Sequence, residues 1–221
     1  MNTPLKQIYR NLPNIVSFVG VLPLFILLRE EAFVYLCPLI VFNNIMDDLD
    51  GILAKKLGLR SEFGAGLDNV CDAVAHILIA MVVGSHYGGV VLAASLVSAV
   101  AILIRVVQRV APSHTASTGT PTNELMRHIL LLLMLNEFIG FDVTPYLVVA
   151  YLLNSLSMLV PFAMPHLVRA KTKTATAILG VNVALAVAWF APATAPFMAA
   201  VFLGTYLYSF VVGGAGWLRR A

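Results

Sequence analysis

Two pairs of aspartates define the chemistry open to this sequence. Asp47 and Asp50 stand three residues apart, and Asp68 and Asp72 four apart; on a helix, each spacing puts both carboxylates on one face about a turn from each other. If two such helices face one another, four carboxylates share one small volume, where they cannot all stay ionised unless a cation joins them. An oxygen-only ligand set of this kind suits Mg2+ or Mn2+ rather than zinc. The two cysteines, Cys37 and Cys71, lack the paired spacing of a zinc site and are expected to be buried thiols. Counting Asp48, five of the six aspartates fall within 26 residues of a chain that is otherwise mostly hydrocarbon. A carboxylate held at mid-bilayer costs roughly 2.5 to 3.5 kcal/mol, so such residues usually mark a site for an ion, a substrate or a proton. Asp48 directly follows Asp47 and so points to a different helical face, where a structural or supporting role is expected. Small residues are interleaved with the acids: Gly51, Ala54 and Gly64 let a backbone or a phosphate approach closely, and Lys55 offers a phosphate a positive charge.

The elements that must position these acids are membrane helices. With 60% apolar and 11% charged residues, the chain has too little polar surface for a water-soluble domain and matches a polytopic membrane protein. Its net charge of +3 comes from few residues and concerns topology and lipid headgroups. No basic helix supports nucleic-acid binding. Crossing the bilayer core takes about 20 apolar residues, and about eight candidate spans follow: Ile15 to Leu28, Ala32 to Leu57, Phe63 to His86, Val90 to Ala111, Glu124 to Ile139, Thr144 to Met164, Thr174 to Phe190 and Pro196 to Leu218. The predicted fold is therefore an all-α, polytopic transmembrane bundle forming one domain over residues 1–221.

Lysines and arginines fall at every second boundary: Lys6 and Arg10; Lys55, Lys56 and Arg60; Arg105, Arg109 and Arg127; Arg169, Lys171 and Lys173; Arg219 and Arg220. By the positive-inside rule both termini are expected in the cytoplasm. Asn2 to Leu12 mixes apolar and basic residues at helical spacing and is expected to lie along the interface as an amphipathic helix, broken from the first span by Pro13. Arg29, Glu30 and Glu31 follow the first apolar run where a cleavage site would stand, so that run is expected to be a retained span. The Ser-, Thr- and Gly-rich stretch Pro112 to Asn123 is expected to be a cytoplasmic loop.

Taken together, Asp47-x-x-Asp50-Gly51-x-x-Ala54-Lys55, eight residues, then Gly64-x-x-x-Asp68-x-x-x-Asp72 resembles the signature of the CDP-alcohol phosphatidyltransferase family. Seven of its eight spaced positions match. The departure is Lys55, where the family usually has Arg, which keeps the charge but loses the two-pronged fork. The resemblance covers roughly Leu12 to Pro121. It implies a six-span family core, here with two further spans, and a site holding two divalent cations, Mg2+ or Mn2+, that bind the diphosphate of a CDP-linked lipid such as CDP-diacylglycerol. It implies that a small alcohol attacks the lipid-side phosphorus and expels CMP, with Asp72 as general base. Asp47, Asp50 and Asp68 map to metal ligands, Asp72 touches metal as well, and Gly51, Ala54, Lys55 and Gly64 map to the nucleotide and diphosphate side. The expected setting is phospholipid synthesis in a bacterial inner membrane, and a homodimer is compatible with the resemblance.

The acceptor is read from other residues. Ser61-Glu62-Phe63-Gly64 with Leu67-Asp68, and Arg105 and Arg109 followed by Gly119-Thr120-Pro121, resemble phosphatidylserine synthases. Pro121-Thr122-Asn123 with Arg127 and His128 resembles phosphatidylglycerophosphate synthases. Serine is placed narrowly first, with glycerol 3-phosphate and inositol-type acceptors next. Arg105, Arg109 and Arg127 either bind the acceptor's phosphate or carboxylate or serve as cytoplasmic anchors. His76, one turn past Asp72, either extends the site or packs as a satisfied core histidine. Two alternatives stand beside this reading: transfer from a small CDP-alcohol to a lipid acceptor, and a cation transporter with its aspartates at mid-membrane.

Overall fold

The computed structural model describes residues 4–110, 118–164 and 175–220. Arg169, Lys171 and Lys173, and the first part of the Pro112 to Asn123 loop, lie outside the described residues. The described residues are helical apart from short connections and one parallel bridge between Gly119 and Ala163.

A short helix α1 (Pro4–Arg10) precedes α2 (Leu12–Val21), with Asn11 between them and Pro13 in the first turn of α2, where its missing N–H costs nothing. The break thus falls at Asn11, and Pro13 starts the next helix. Pro23 then ends the α-helical pattern, and the apolar run continues as a 3-10 helix, Leu22–Leu28. A second 3-10 helix, Glu30–Tyr35, leads into α3 (Leu36–Lys56), which ends on Lys55 and Lys56 and so places cations at the negative end of its dipole. Helix α4 (Glu62–Tyr87) is capped by the Ser61 hydroxyl, which accepts from the Gly64 N–H at 3.0 Å. Gly88 and Gly89, both at positive φ, turn the chain directly into α5 (Gly89–Val110).

Helices α6 (Asn123–Ile139) and α7 (Thr144–Leu159) follow. Hydropathy carries the sixth apolar segment to Met164, but the helix stops at Leu159. Val160 is extended because it precedes Pro161, whose ring disfavours helical geometry in its predecessor. Helix α8 (Ala175–Phe190), a 3-10 turn at Pro192–Thr194 and α9 (Ala195–Leu218) complete the bundle.

Helices therefore occupy all eight apolar segments. Four stretches are long and apolar enough to cross a membrane, Glu30–Lys56, Glu62–Tyr87, Gly89–Val110 and Pro192–Leu218, and shorter apolar helices lie at Leu12–Leu28, Thr144–Leu159 and Leu179–Phe190. The outward face is apolar: on α5, Val100, Leu103 and Val107 are exposed, a surface suited to hydrocarbon rather than water. Helix α6 runs through the interior, with Leu125 to Leu131 buried without interruption. Helix α5 packs between α4 and α7; its Ser95 lies against Gly84, where no side chain would fit, and Tyr151 of α7 donates to the Ala80 carbonyl of α4 at 3.0 Å.

One packing feature sets up the site. Helix α2 packs against both α3 and α4, while α3 and α4 touch each other sparingly. The two acid-bearing helices therefore diverge around a gap.

Candidate functional site

Three of the four signature aspartates converge at that gap, and Asp72 lies within electrostatic reach of Asp47 and Asp68. One carboxylate oxygen from each of Asp47, Asp50 and Asp68 lies within 4.8 Å of the other two, and the Asp72 carboxyl lies within hydrogen-bonding reach of Asp47. At this separation each ionised pair repels by about 3.5 kcal/mol at an effective dielectric of 20. Arg109 comes within electrostatic reach of Asp68 and Asp72 but, among the described residues, forms no ion pair with either. Among the described residues the ion pair within 4.0 Å is Arg127 with Glu124, and none of the four acids has a lysine or arginine partner. Their partners are neutral: Asp50 accepts from the Ser17 hydroxyl of α2, and Asp47 accepts from Asn123 Nδ2 at 2.6 Å. Neutral donors orient carboxylates without neutralising them and leave most of their lone pairs for something else. This oxygen-only donor set fits hard divalent cations, and Asp47, Asp50 and Asp68 are the residues placed to hold them.

Beside the acids opens a cavity of about 240 Å3. Asp50, Gly51 and Ala54 of α3 and Gly64 and Asp68 of α4 form two of its walls. The two glycines are small for different reasons. A Cβ on Gly64 would meet Ser61 Oγ at 3.0 Å and Asn14 Oδ1 at 3.2 Å, so the helix cap and α2 crowd that position. A Cβ on Gly51 would meet no protein atom within 4 Å; the room kept there is room beside the acids. Lys55 is exposed and does not line the cavity. Arg60 does, together with Pro13, Asn14 and Ser17 from α2.

The sequence marks neither Ser17 nor Asn123 as a carboxylate partner, although Asn123 stands in the Pro121-Thr122-Asn123 stretch. Neither belongs to the spaced pattern, and each meets its aspartate only through packing. The signal available for Asn123 was its place at the start of an otherwise apolar helix.

Asp48 turns away from the cluster. Its Oδ2 accepts from Asn182 Nδ2 of α8 at 2.7 Å and more weakly from Asn44 Nδ2 at 3.5 Å. Adjacent residues on one helix thus serve opposite faces. His76 is buried, its Nδ1 bonded to Thr122 Oγ1 at 2.8 Å, a satisfied position one turn below the acids.

The three arginines have unequal surroundings. Arg109 donates to Asn69 Oδ1 at 3.4 Å and lies within electrostatic reach of Asp68 and Asp72. Arg127 pairs with Glu124 at 2.8 Å and donates to Asn44 Oδ1 at 3.5 Å. Arg105 is only 3% exposed, its Nε has no hydrogen-bond partner, and its charged neighbour is another cation, Arg109. A buried guanidinium left in this state is costly.

The segment leading into α6 is stitched to the end of α7. Gly119, at φ +66°, donates to the Phe162 carbonyl and Thr120 donates to the Ser157 carbonyl, both at 2.9 Å. A Cβ on Gly119 would collide with the Met158 carbonyl, so that position needs glycine twice over. The seam fixes Thr122 and Asn123, and through them His76 and Asp47.

Comparison with known proteins covers this region. A family model for CDP-alcohol phosphatidyltransferases matches residues 10–163, a range that holds all eight signature positions and ends before α8. A stretch of 85 residues is 34% identical to an uncharacterised protein of Aquifex aeolicus, covering 36% of this chain and 42% of that one. Another of 83 residues is 35% identical to a CDP-diacylglycerol–glycerol-3-phosphate 3-phosphatidyltransferase of Pectobacterium atrosepticum, covering 35% of this chain and 46% of that protein. The chain thus spans under half the length of each curated relative.

Proposed function

This chain belongs to the CDP-alcohol phosphatidyltransferase family, and from that premise we propose that it transfers a phosphatidyl group from CDP-diacylglycerol to a small hydroxyl acceptor, releasing CMP. The observation that carries the reading is the convergence of Asp47, Asp50 and Asp68 oxygens within 4.8 Å at the wall of a cavity where Gly51 leaves open space. The acceptor oxygen forms a bond to the lipid-side phosphorus, the bond from that phosphorus to CMP breaks, and the hydroxyl proton passes to the Asp72 carboxylate. Mg2+ or Mn2+ ions held by Asp47, Asp50, Asp68 and Asp72 would supply neutralisation of the charge on the diphosphate. The cavity between α2, α3 and α4 takes the cytidine diphosphate, with Gly51 and Gly64 admitting it and Arg60 as the cation on its wall. Lys55 reaches the same ligand only from the rim.

We further propose an eight-span bundle in a bacterial inner membrane with both termini cytoplasmic and α1 along the interface. This arrangement keeps lipid tails in hydrocarbon while the headgroup meets a soluble alcohol. Family membership removes the cation-transporter alternative.

For the acceptor, the surroundings of Arg105 favour an anion, since its buried Nε lacks a partner and its charged neighbour is another cation. Serine and glycerol 3-phosphate both qualify. Serine brings an ammonium group, which a cluster of Arg105 and Arg109 repels, and the named relative from Pectobacterium atrosepticum acts on glycerol 3-phosphate. Glycerol 3-phosphate is therefore placed first and serine second, with inositol-type acceptors behind them.

The deciding experiment incubates purified protein with CDP-diacylglycerol, Mn2+ and each of serine, glycerol 3-phosphate, inositol, inositol phosphate and choline, reading CMP release and lipid product by mass. A phosphatidylglycerol phosphate product supports the reading. CMP release with none of them overturns it, and competition by CDP-choline points to a small CDP-alcohol donor instead.

A further inference from the structure

Between Leu179 and Phe190 of α8, Asn182 is the side chain that can both donate and accept a hydrogen bond. An amide in an apolar membrane helix is tolerated when it finds partners on a neighbouring helix, and Asn182 finds two on α3. Its Oδ1 accepts from Asn44 Nδ2 at 2.6 Å and its Nδ2 donates to Asp48 Oδ2 at 2.7 Å. These bonds fix the sense of the Asn44 amide. With Nδ2 committed to Asn182, and more loosely to Asp48, Asn44 Oδ1 is left to receive Arg127 Nη2 at 3.5 Å. The other arm of Arg127 is held by Glu124 at 2.8 Å.

We propose that Asn182 is a positioning residue for an anion pocket on α6: by locking the Asn44 amide it holds the Arg127 guanidinium where an anionic acceptor meets it. Without Asn182 the Asn44 amide keeps only its loose contact with Asp48. Once its Oδ1 drifts from Arg127 Nη2, the guanidinium is left anchored by Glu124 alone and loses its set orientation. Helices α8 and α9 lie beyond the family-matched residues 10–163, so this contact makes the added helices part of acceptor recognition. The inference rests on the functional reading above for the identity of the anion, whereas its binding test needs no turnover.

The test is thermal unfolding of the full chain in detergent with Mn2+ and graded glycerol 3-phosphate, with inorganic phosphate as a second probe, alongside acceptor and CDP-diacylglycerol KM values. In Asn182→Leu the anion concentration giving half the shift, and the acceptor KM, rise on the order of tenfold, while the KM for CDP-diacylglycerol stays unchanged. The exchange Asp48→Asn with Asn182→Asp keeps both bonds with their donors redistributed and restores anion affinity. If Asn182→Leu fails to fold, Asn182→Ser, which cannot make both bonds at once, shows an intermediate loss. Wild-type anion affinity in these single variants, an equal loss for both substrates, a folded exchange variant without rescue, or no anion-dependent shift in the wild type would each overturn the proposal. A wild type that binds the anion but releases no CMP defeats the functional reading instead, and the binding arm still decides this one.

Discussion

The aspartate cluster between α3 and α4 and the polar seam joining α6, α7 and α9 both bury hydrogen-bonding groups in an apolar bundle, on opposite terms. In the seam, partners come from within. Tyr206 donates to Ser157 Oγ at 2.7 Å and its oxygen lies 3.1 Å from the Leu153 carbonyl, Ser157 and Thr120 share a bond of 2.8 Å, and Asn154 meets His128. Its loose end among the described residues is His128 Nε2. In the cluster, Asp47 and Asp50 receive one neutral donor each and no acid has an ion-pair partner among the described residues. Apart from His128 Nε2 the seam is satisfied by protein, whereas the cluster leaves most of its carboxylate lone pairs open. Substitutions in the seam should therefore cost stability and spare chemistry, and substitutions in the cluster should do the reverse.

The largest effect expected is at Asp72. Asp72→Asn keeps the shape and removes the base, so CMP release falls on the order of 10^3-fold. Removing one charge from a repelling group leaves the metal-free unfolding temperature unchanged or higher. A variant that retains substantial turnover would break the assignment of Asp72 as base, and one that loses activity only by unfolding would erase the contrast with the seam.

Metal addition and removal sharpen the same contrast. A ligand at 100 times its Kd stabilises the folded state by about 2.7 kcal/mol, so Mn2+ should raise the unfolding temperature of the wild type and a chelator should reverse the rise. Asp50→Asn and Asp68→Asn should lose most of that response. Tyr206→Phe, in the seam, should keep it in full while costing about 1 kcal/mol of stability from the lost hydroxyl. If Tyr206→Phe abolished the response to Mn2+, the two regions would be one unit.

Arg105 has features of both regions: it is as buried as the seam, and its Nε has no hydrogen-bond partner. Arg105→Gln removes a buried charge that stands beside another cation, Arg109, so the protein without acceptor should become more stable. The same change should raise the acceptor KM about tenfold, the scale of one lost charged contact. Unfolding curves with and without glycerol 3-phosphate measure both signs at once. Loss of stability without acceptor would return Arg105 to a structural role.

How much of this was legible in the sequence follows the range of the interaction. The cluster was legible because Asp47 with Asp50 and Asp68 with Asp72 each obey a local helical spacing, and hydropathy marked the eight apolar segments that the helices occupy. The partners were not. Asn123 lies 76 positions from Asp47 and Asn182 lies 134 from Asp48, separations that carry no periodic signal. Packing decided Lys55 against Arg60 as well. Lys55 continues the helical pattern yet faces outward from the end of α3, while Arg60 sits in a connection whose path depends on Gly58 at φ +65°. The end of α7 at Leu159 was readable from Pro161, but apolar residues on both sides of that proline hid it in the hydropathy.

The smallest expected effect is also the cleanest division between the two kinds of burial. Gly51 sits inside α3, and a methyl group added to it would have no protein atom within 4 Å, so helix propensity alone sets the stability change. Gly51→Ala should gain about 1 kcal/mol. If the space is kept for the cytidine diphosphate, the same methyl should raise the KM for CDP-diacylglycerol while leaving the acceptor KM alone. Gly84→Ala supplies the opposite case. Its methyl would run into Ser95, costing about 1 to 3 kcal/mol of stability through overpacking with no change in either KM. Should Gly51→Ala stabilise the protein and leave the CDP-diacylglycerol KM unchanged, the open space beside Asp50 would have no ligand to explain it, and the cavity would lose its place in the mechanism.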